Sequence, residues 1–551
     1  MTSFSYPLPK TLNKLMQASQ KSGVYLDVIP AFHEEKTFTS EVAQSFSQLT
    51  PRSGRLTLNL TLDPDTQSHL EKKQDFLRVG VLFSGGPAPG GHNVICGLFE
   101  ALEAVTQRFE LIGFHSGVKG ILTNQYHLVT REEVDAFLDR GGFHMLGSGR
   151  DKIESSADLE DALTAVENFD VLVVIGGDDS NTNAAVMAQY FAQKQKGPKV
   201  IGVPKTIDGD LRSDLIETSF GHQSACQVYG SLVSALAVDA RSAGKYYHFI
   251  RLMGRSASHI TLEVALATQP SVTVIAEEVQ SDQLTLDMLV EHICAAIKPR
   301  LAKGMFWGTV VIPEGIIEAI SEFQVLIKEL NNCSDQQREQ IRNDVGLSTL
   351  SPQAKELFTS LPKDFADSLL LEPDAHGNIQ ISKIESERLL ADLVARRLNH
   401  PHFAFQTHFF GYEARCVSPS PFDAYYCYLL GINTGLLAIA GLNGVVSAIG
   451  QLSKNPECWQ PQFESLASLL HSEMRGGNPK FVIEKNLVDL QGPAFQSFKS
   501  QREKWVLQPL GVEQLPIQYM PKKCMRTNAG GTSDFFKDLS EKIVRPFTLP
   551  I

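Results

Sequence analysis

Two carboxylates stand side by side where a strand gives way to a helix, in the stretch VVIGGDDSNTNA. The β-branched residues before Gly176 and Gly177 predict a strand, and Ser180 is typical of a helix N-terminus. A glycine-rich turn before a helix suits a phosphate, because the helix N-terminus offers free N–H groups and positive potential. Asp178 and Asp179 put negative charge there instead. One of them could hold a metal ion, and the second needs its own explanation.

A second pair of carboxylates follows the next apolar run, in the stretch GVPKTIDGDL. Asp208 and Asp210 are two residues apart, so in extended chain their side chains point to the same side. Paired carboxylates suit a general base with a helper or a metal partner. The same residues are equally compatible with a polar turn around Gly209. We refer to residues 205–210 as the KTIDGD loop.

Five further polar stretches each follow a strand-like run. The SGGPAPGG loop, residues 84–91, allows a backbone to approach a ligand closely, although such loops often form only a tight turn. It has neither the G-x-G-x-x-G nor the Walker spacing. Taken singly, the others are typical of surface or helix-cap residues: Arg150 in GSGRDK, Arg255 in RLMGR, Glu314 in IPEG, and Tyr412 and Arg415 in FFGYEARCVSPSPFD.

Along the chain, apolar runs alternate with amphipathic segments, and the strands and helices that they predict must position these residues. Such runs predict parallel sheets covered by helices on both faces. In these folds ligands bind beyond the carboxyl ends of the strands, which is where the polar stretches begin. The predicted strands are RVGVLFS, FELIGFH, DVLVVIG, PKVIGVPK, YYHFIRLMG, SVTVIAEE and GTVVIPEG.

Composition narrows the class of protein. The 551 residues carry a net charge of −12, which argues against nucleic acid as a partner but leaves room for small anions bound by local Arg and Lys clusters. The eight cysteines are scattered, as in reduced cytosolic proteins. The start of the chain lacks the apolar segment of a signal peptide, and the stretch GLLAIAGLNGVVSAIG is too short and too interrupted to span a membrane. We therefore expect a soluble cytoplasmic protein without a membrane partner.

Taken together and in this order, the motifs resemble those of the phosphofructokinase family. They are SGGPAPGGHN, GSGR, GGDDS, PKTIDGD, MGR, PEG and GYEAR, spread over about residues 78–450. The length, a helical insertion, KTIDGD and GYEAR resemble more closely its long, pyrophosphate-dependent branch.

The resemblance implies two doubly wound parallel-sheet (Rossmann-like) domains of phosphofructokinase type, with a helical insertion and terminal extensions. The insertion has its own apolar face at helical spacing, formed by Leu390, Leu393, Val394 and Leu398. The expected ranges are an N-terminal extension 1–75, a donor-binding domain 76–220 completed by about 413–455, a sugar-phosphate domain 221–412 with the insertion at about 318–402, and a C-terminal segment 456–551.

The family transfers a phosphoryl group to the 1-hydroxyl of fructose 6-phosphate, which requires positioning, charge neutralisation and a base. Carried over by motif, Asp208 is the base, Asp210 assists it, and Asp178 holds Mg²⁺, a hard cation that prefers oxygen ligands. Gly86 and Arg150 face the donor phosphates, with Arg150 spreading charge in the transition state.

The same resemblance implies a site for the sugar phosphate. Two positions depart from the ATP-using relatives: Tyr412 stands in place of a histidine, and Gln406 in place of an arginine that binds phosphate. The pocket would therefore depend more on Lys245, Tyr246 and Arg255. The full set implied is Thr206, Ile207, Asp208, Lys245, Tyr246, Met253, Gly254, Arg255, Glu314, Tyr412, Glu413, Ala414 and Arg415.

Asp179 and Lys205 distinguish between phosphate donors, since ATP-using relatives usually carry glycine at both positions. A carboxylate at Asp179 would repel the α-phosphate of ATP and spare pyrophosphate, whereas a plain helix-cap role is the alternative. Lys205 could stabilise the phosphate that leaves. The resulting hypothesis is a pyrophosphate-dependent enzyme that works in glycolysis or gluconeogenesis.

Three alternative hypotheses are an ATP-dependent phosphofructokinase, a non-catalytic regulatory subunit, and a lipid or dinucleotide kinase that shares only the GGD turn. In the family, the stretch GKYYHFIRLMGR completes the sugar site of a neighbouring subunit. We therefore expect a homodimer with shared sites.

Overall fold

The computed structural model describes residues 6, 8–9, 12–13, 24–33, 39–62, 76–106, 108–153, 155–343, 345–370, 384–475 and 478–507. These residues form two compact units. Unit 1 draws its described residues from 1–225 and 414–486, and unit 2 draws its own from 226–413 and 487–507.

The strands of the described residues follow one another along the chain as β1 (Val24–Phe32), β2 (Gly54–Leu62), β3 (Leu77–Phe83), β4 (Phe109–Phe114), β5 (Tyr126–Leu128), β6 (Val171–Gly176), β7 (Lys199–Pro204), β8 (Tyr246–Leu252), β9 (Val272–Thr273), β10 (Trp307–Pro313), β11 (Phe405–Phe410), β12 (Val445–Gly450), β13 (Gln460–Ser465), β14 (Leu470–Arg475) and β15 (Asn478–Ile483).

The α-helices of the same residues are α1 (Ser40–Ser45), α2 (Gly91–Val105), α3 (Val118–Leu122), α4 (Arg131–Phe137), α5 (Ser156–Val166), α6 (Asp178–Lys194), α7 (His222–Ala243), α8 (His259–Thr268), α9 (Ala276–Ser281), α10 (Leu286–Ala302), α11 (Ile316–Ala319), α12 (Ser321–Asn331), α13 (Asp335–Arg342), α14 (Pro352–Ser360), α15 (Lys363–Leu369), α16 (Ser386–Leu398), α17 (Pro421–Ile439), α18 (Leu466–Leu469) and α19 (Pro493–Leu507).

Unit 1 is built on a sheet of nine strands in the order β1-β2-β13-β12-β7-β6-β3-β4-β5. The central strands β12, β7, β6, β3 and β4 run parallel, and antiparallel strands flank them at both ends. The five central strands are almost entirely buried, which explains their continuous Val/Ile/Leu runs. The parallel-sheet α/β class predicted from the sequence is confirmed.

Helices α2 and α17 of unit 1 pack so closely that their backbones touch. A Cβ atom on Gly97 would lie 2.1 Å from the Tyr428 carbonyl oxygen, and one on Gly431 would lie 2.1 Å from the Val94 carbonyl oxygen. Only glycine permits this approach. Helix α17 is therefore apolar because it is buried inside unit 1. None of the helices in the described part of the chain is both long and apolar enough to cross a membrane.

Unit 2 contains a four-stranded parallel sheet in the order β11-β8-β10-β9. Its core is continuous with the helices of the predicted insertion, because Val310 and Ile312 of β10 share one buried cluster with Phe323 of α12 and Leu390 of α16. In α16, Leu390 and Val394 are fully buried, as the helical spacing predicts. The helices between residues 316 and 398 therefore pack onto the sheet without forming a separate core.

The segments expected to be terminal extensions contribute to the two units. Strands β1 and β2, from the predicted N-terminal extension, and β13, from the predicted C-terminal segment, are part of the unit 1 sheet. Helix α19 packs within unit 2, where Phe495, Phe498 and Trp505 contact Leu262 and its neighbours. The rest of the predicted C-terminal segment, residues 508–551, lies outside the described residues, as do 371–383 of the insertion.

Burial of Asp423 in α17 makes the stability of the fold depend on pH. Its carboxylate accepts the N–H groups of Gly221 (3.1 Å) and Ser224 (2.8 Å), and burial raises its pKa from 3.8 to about 6. A carboxyl whose pKa is higher in the folded than in the unfolded chain contributes stability that is present below pH ~4 and is lost as the pH rises through ~6.

We expect the unfolding free energy of the wild type, relative to that of Asp423→Asn, to fall by up to about 3 kcal/mol between pH 4 and pH 7. Melting temperatures measured across this range test the expectation. The exposed Asp161 on α5 supplies a control, Asp161→Asn, whose difference from the wild type should stay constant. A constant difference for Asp423→Asn as well would contradict the explanation.

Candidate active site

The loops after β3, β6 and β7 lie together at one edge of the unit 1 sheet, because these strands are parallel neighbours. The Ser84 N–H donates to the Ile175 carbonyl and the Lys205 N–H donates to the Gly176 carbonyl, both at 2.9 Å. The strand pairing therefore continues past the strand ends. It fixes the SGGPAPGG loop, the start of α6 and the KTIDGD loop against one another.

Lys205 is a buried cation between the SGGPAPGG loop and the start of α6. This residue is 7% exposed, and a Cβ atom on Gly85 would lie 3.0 Å from its Nζ atom. Gly85 also has a φ of +85°, which favours glycine. Burial lowers the pKa of Lys205 to about 8, although Asp178 opposes this shift. An ammonium that has lost its water in this way is suited to bind an anion.

Arg415 lies on the same side of unit 1. A Cβ atom on Gly86 would be 3.1 Å from its Nη1 atom, so the guanidinium rests on the glycine-rich loop. Its charge contributes to the lowered pKa of Lys205, after burial. The resemblance assigned Gly86 to the donor and Arg415 to the sugar phosphate. The structure brings these two residues into contact.

Asp178 and Asp179 are the first two residues of α6, where the positive end of the helix dipole favours carboxylates. Each has a different lysine beside it. Lys485 Nζ lies 3.8 Å from Asp178 Oδ2, and Lys152 Nζ lies 3.2 Å from Asp179 Oδ1. The Asp179 side chain is 57% exposed, against 33% for that of Asp178. The two adjacent acids therefore have different surroundings.

The KTIDGD loop holds its two carboxylates in a tight turn. Gly209 has a φ of +75°, and a Cβ atom there would lie 2.8 Å from Nδ1 of His222. The Asp208 N–H donates to Thr206 Oγ1 at 3.1 Å. Asp210 is 8% exposed, and its pKa is raised to about 6 by burial and by the charges of Asp208 and Asp178. Asp208 is half-buried and thus more accessible than Asp210.

Arg150 is exposed on a loop that is tied to the glycine-rich loop. The Gly85 N–H donates to the Gly149 carbonyl at 2.8 Å, and Ser148 Oγ donates to the Gly85 carbonyl. A Cβ atom on Gly149 would collide with the Ser116 carbonyl at 2.2 Å. The backbone on which Arg150 stands is therefore fixed, and its guanidinium is open to solvent.

A divalent cation fits this part of unit 1. No group of three or more His, Cys, Asp or Glu side chains among the described residues could hold a metal by itself. Mg²⁺, however, is usually bound through one or two carboxylates, with the rest of its shell supplied by water and substrate phosphates. Asp178 offers one such carboxylate at the start of α6, where its side chain is 33% exposed.

In unit 2, several residues of the predicted sugar site lie at the carboxyl edge of β8, β10 and β11. The Met253 N–H donates to the Phe410 carbonyl (3.3 Å), and the Glu314 N–H donates to the Leu252 carbonyl (2.9 Å). Met253 and Glu314 are nearly fully buried, at 4% and 2% exposed. Arg255 is exposed and lies close to Glu314. A Cβ atom on Gly315, the next residue, would be 1.9 Å from the Arg255 carbonyl oxygen.

The segment after β11 supplies two more of the predicted residues. Tyr412 is 64% exposed. The Glu413 carboxylate accepts the Gly411 N–H at 2.7 Å, so this acid also shapes its own turn. The hydroxyl of Tyr229, from α7, donates to the Gly411 carbonyl and anchors the segment.

Lys245 and Tyr246 lie at the opposite end of β8 from Met253. Lys245 precedes Met253 by eight positions, which is about 26 Å along a strand. Tyr246 has a φ of +74°, which is unusual for a bulky residue and indicates a backbone held by its surroundings. Lys245 Nζ lies 4.9 Å from the centre of the Tyr246 ring. These two residues are grouped with each other, away from the carboxyl edge of their sheet.

The predicted site residues thus divide between the two units. Unit 1 contains Gly86, Arg150, Asp178, Asp179, Lys205, Thr206, Ile207, Asp208, Asp210, Ala414 and Arg415, and unit 2 contains Lys245, Tyr246, Met253, Gly254, Arg255, Glu314, Tyr412 and Glu413. Sequence reasoning missed Lys152 and Lys485. Lys152 lies within the GSGRDK stretch and could have been found, whereas Lys485 follows a hairpin and belongs to no motif.

Comparison with known proteins identifies the class to which this fold and site belong. Residues 78–437 match the family model described as Phosphofructokinase. Crystal structures of pyrophosphate-dependent phosphofructokinases from Nitrosospira multiformis and Marinobacter aquaeolei share the fold, with TM-scores of 0.53 and 0.52 and 16% identity. Each alignment covers 81% of this chain and 96% of the other.

The sequence relatives are much closer. A Solanum tuberosum protein named pyrophosphate–fructose 6-phosphate 1-phosphotransferase subunit beta is 42% identical over 481 residues, 85% of this chain and 84% of the relative. A Treponema pallidum protein named pyrophosphate–fructose 6-phosphate 1-phosphotransferase is 44% identical over 464 residues, 80% of each chain. The chain belongs to the phosphofructokinase family.

Proposed function

We propose that this protein transfers a phosphoryl group from pyrophosphate to the 1-hydroxyl of fructose 6-phosphate, reversibly, to give fructose 1,6-bisphosphate and phosphate. The observation that carries the proposal is the buried Lys205 against Gly85, with Asp178 and Asp179 at the start of the adjacent helix. The names of relatives that are 42–44% identical support it. It would work in glycolysis or gluconeogenesis, in the cytoplasm.

In this proposal, the residues of unit 1 carry out the chemistry. Asp208 accepts the proton of the 1-hydroxyl, and Asp210 assists it. Lys205 neutralises the phosphate that leaves, and Arg150 spreads the charge of the transferred group. The burial of Asp210 and the greater accessibility of Asp208 support this division, because a base must be within reach of its substrate.

Asp178 would hold Mg²⁺. Once bound with the donor, the ion would neutralise phosphate charge and orient the group that is transferred. Asp178 is suited to this role because it is partly exposed at the start of α6 and offers a hard oxygen ligand.

The contacts proposed for fructose 6-phosphate are those implied by the family motifs. Glu314 would accept hydrogen bonds from sugar hydroxyls, and Arg255 would clamp the 6-phosphate, since a guanidinium can bind phosphate through two parallel hydrogen bonds. The remaining contacts are proposed for Thr206, Ile207, Asp208, Met253, Gly254, Tyr412, Glu413, Ala414 and Arg415.

The position of Arg415 against Gly86 favours an additional role near the donor. Its guanidinium could serve the transferred phosphoryl group as well as the sugar phosphate. A catalytic enzyme is favoured over a regulatory subunit because Asp178, Asp208 and Arg255 are all present. An ATP-dependent enzyme is disfavoured by Asp179 and Lys205.

³¹P NMR of the purified protein with fructose 6-phosphate, Mg²⁺ and pyrophosphate tests the proposal. We expect the pyrophosphate resonance to decline while phosphate and the 1-phosphate of the product appear in equal amounts. Adding phosphate to fructose 1,6-bisphosphate should regenerate pyrophosphate. Appearance of two phosphates per pyrophosphate, without the sugar bisphosphate, would indicate simple hydrolysis and contradict the proposal.

Replacing Asp179 by glycine should lower pyrophosphate turnover and allow measurable use of ATP. A like-charge contact at ~4 Å costs about 4 kcal/mol at an effective dielectric of ~20, and a third of that is about tenfold in affinity. We use the tenfold figure because the ammonium of Lys152, 3.2 Å from the Asp179 carboxylate, partly neutralises its charge. Adding Lys205→Gly should shift the preference further, as measured by kcat/KM for both donors.

The N-cap residue of α6 is Gly177, so Asp179 is not its cap. The isosteric Asp179→Asn removes the charge of the side chain and keeps its shape. The charge explanation predicts that this variant weakens the rejection of ATP. Asp179→Asn and Asp179→Ser variants that exclude ATP as strongly as the wild type would eliminate the charge explanation.

A homodimer with shared sugar sites follows from the separation of Lys245 and Tyr246 from Met253. At about 26 Å they cannot contact the same phosphate within one chain. Mixing an Asp208→Ser protein with a Lys245→Met protein should therefore restore part of the activity, because one of the two sites in each mixed dimer is intact. If demonstrated subunit exchange restored none, shared sites would be contradicted.

A further inference from the structure

A short segment after the β14–β15 hairpin runs along the catalytic loops of unit 1. We name residues 483–486 the strap. The Ile483 N–H donates to Thr182 Oγ1 near the start of α6 (3.2 Å). The Asn486 N–H donates to the Asp210 carbonyl (2.7 Å). Because hydrogen bonds from backbone N–H groups hold both ends of the strap, the Cα atoms of its residues have fixed positions beside the site.

Lys485 is the cation that the strap brings to the carboxylates. Its Nζ atom lies 3.8 Å from Asp178 Oδ2. Its charge lowers the pKa of Asp210, against the larger upward effects of burial and of the neighbouring acids. The Lys485 side chain is 40% exposed, so its ammonium can move to a ligand at low cost. One lysine therefore acts on acids from two different loops.

Lys205 and Lys485 have the same carboxylate as a neighbour. A Cβ atom on Gly177, the residue before Asp178, would lie 3.8 Å from Lys205 Nζ, and Asp178 is also the acid beside Lys485. A phosphate held by Lys205 next to Asp178 is thus within the neighbourhood of Lys485. Pyrophosphate brings several negative charges into a region already crowded with acids, so its binding demands cations beyond Lys205.

We propose that Lys485 binds the pyrophosphate donor together with Lys205, and that without donor it is held beside Asp178. This inference rests on the proposed function. It assigns a substrate-binding role to a segment outside the recognised motifs, and it makes the β14–β15 hairpin a support for the donor site. The charge of Lys485 would favour pyrophosphate as the donor, because a second ammonium near Asp178 attracts a compact, highly charged anion.

Three variants test the proposal: Lys485→Met, the charge-preserving Lys485→Arg, and Lys480→Met as a matched control. Lys480 is an exposed lysine on β15, five residues before Lys485. The measurements are kcat and KM for pyrophosphate and for fructose 6-phosphate. Calorimetric titration of Mg²⁺-pyrophosphate into each variant, in an Asp208→Ser background, measures donor binding without turnover.

We expect Lys485→Met to raise both KM and Kd for pyrophosphate about tenfold, the size of a partly screened charge contact. The KM for fructose 6-phosphate should stay within about twofold, Lys485→Arg should recover most of the loss, and Lys480→Met should match the wild type. Lys485→Gln replaces the methionine variant, under the same criteria, if the latter does not fold.

Unchanged pyrophosphate binding in Lys485→Met would overturn the inference while leaving the proposed function intact. Equal damage in the Met and Arg variants, with a lowered melting temperature, would also overturn it, because the lysine would then be only structural. A wild-type protein that neither binds nor uses pyrophosphate would overturn the proposed function and the inference together.

Discussion

Replacing Asp208 by serine should lower kcat by roughly two to four orders of magnitude, the usual consequence of removing a general base. The hydroxyl of fructose 6-phosphate is a poor nucleophile until its proton is accepted, and serine cannot accept it at neutral pH. The Asp208 N–H bond to Thr206 and the left-handed turn at Gly209 should persist, since both involve the backbone. The KM for fructose 6-phosphate should therefore change little.

Asp214 provides the matched control for this variant, because it is exposed a few residues further along the same connection. Asp214→Ser should retain the wild-type kcat. Rates measured over a pH series would show whether the remaining activity of Asp208→Ser rises with hydroxide, as expected for a reaction without its base. A kcat near the wild-type value would remove Asp208 from the mechanism.

Replacing Asp178 by alanine should lower kcat/KM about 100-fold or more at ordinary Mg²⁺ concentrations. Metal-assisted neutralisation of phosphate charge contributes several kcal/mol to such reactions, and Asp178 is the residue that we propose holds the ion. Raising the Mg²⁺ concentration should recover part of the rate, because the loss is mainly one of metal affinity. The measurement is the rate as a function of free Mg²⁺.

A second readout separates metal binding from activity. Mn²⁺ binding in the presence of pyrophosphate, followed by electron paramagnetic resonance, should weaken in Asp178→Ala and remain unchanged in Asp214→Ala. An Asp178→Ala enzyme with the wild-type metal dependence would show that another residue anchors the ion.

Much of the fold is predictable because its central strands are buried on both faces. Continuous runs such as VLVVIG read directly as parallel strands, and the structure confirms each predicted run as a strand, although SVTVIAEE supplies only the two residues of β9. The terminal segments are not predictable in this way. β1, β2 and β13 join the sheet through antiparallel pairing between distant parts of the chain, which local periodicity does not reveal.

The candidate site shows the same division. Asp178, Lys205 and Asp208 follow strand ends and are found from the order of the motifs. The cations that balance the acids are harder to find, since Lys485 reaches Asp178 from a hairpin about 300 residues further along the chain. Its position depends on tertiary packing. Sequence alone does not reveal a partner for Asp179, whereas the structure pairs its carboxylate with Lys152.

The most direct test of the donor assignment compares pyrophosphate with ATP in one assay. Purified protein, fructose 6-phosphate and Mg²⁺ are kept constant, and formation of fructose 1,6-bisphosphate is measured over a range of each donor. The charges at Asp179 and Lys205 predict a kcat/KM for pyrophosphate at least about 100-fold above that for ATP, from a repulsive and an attractive contact of about tenfold each. A kcat/KM for ATP equal to or above that for pyrophosphate would contradict it.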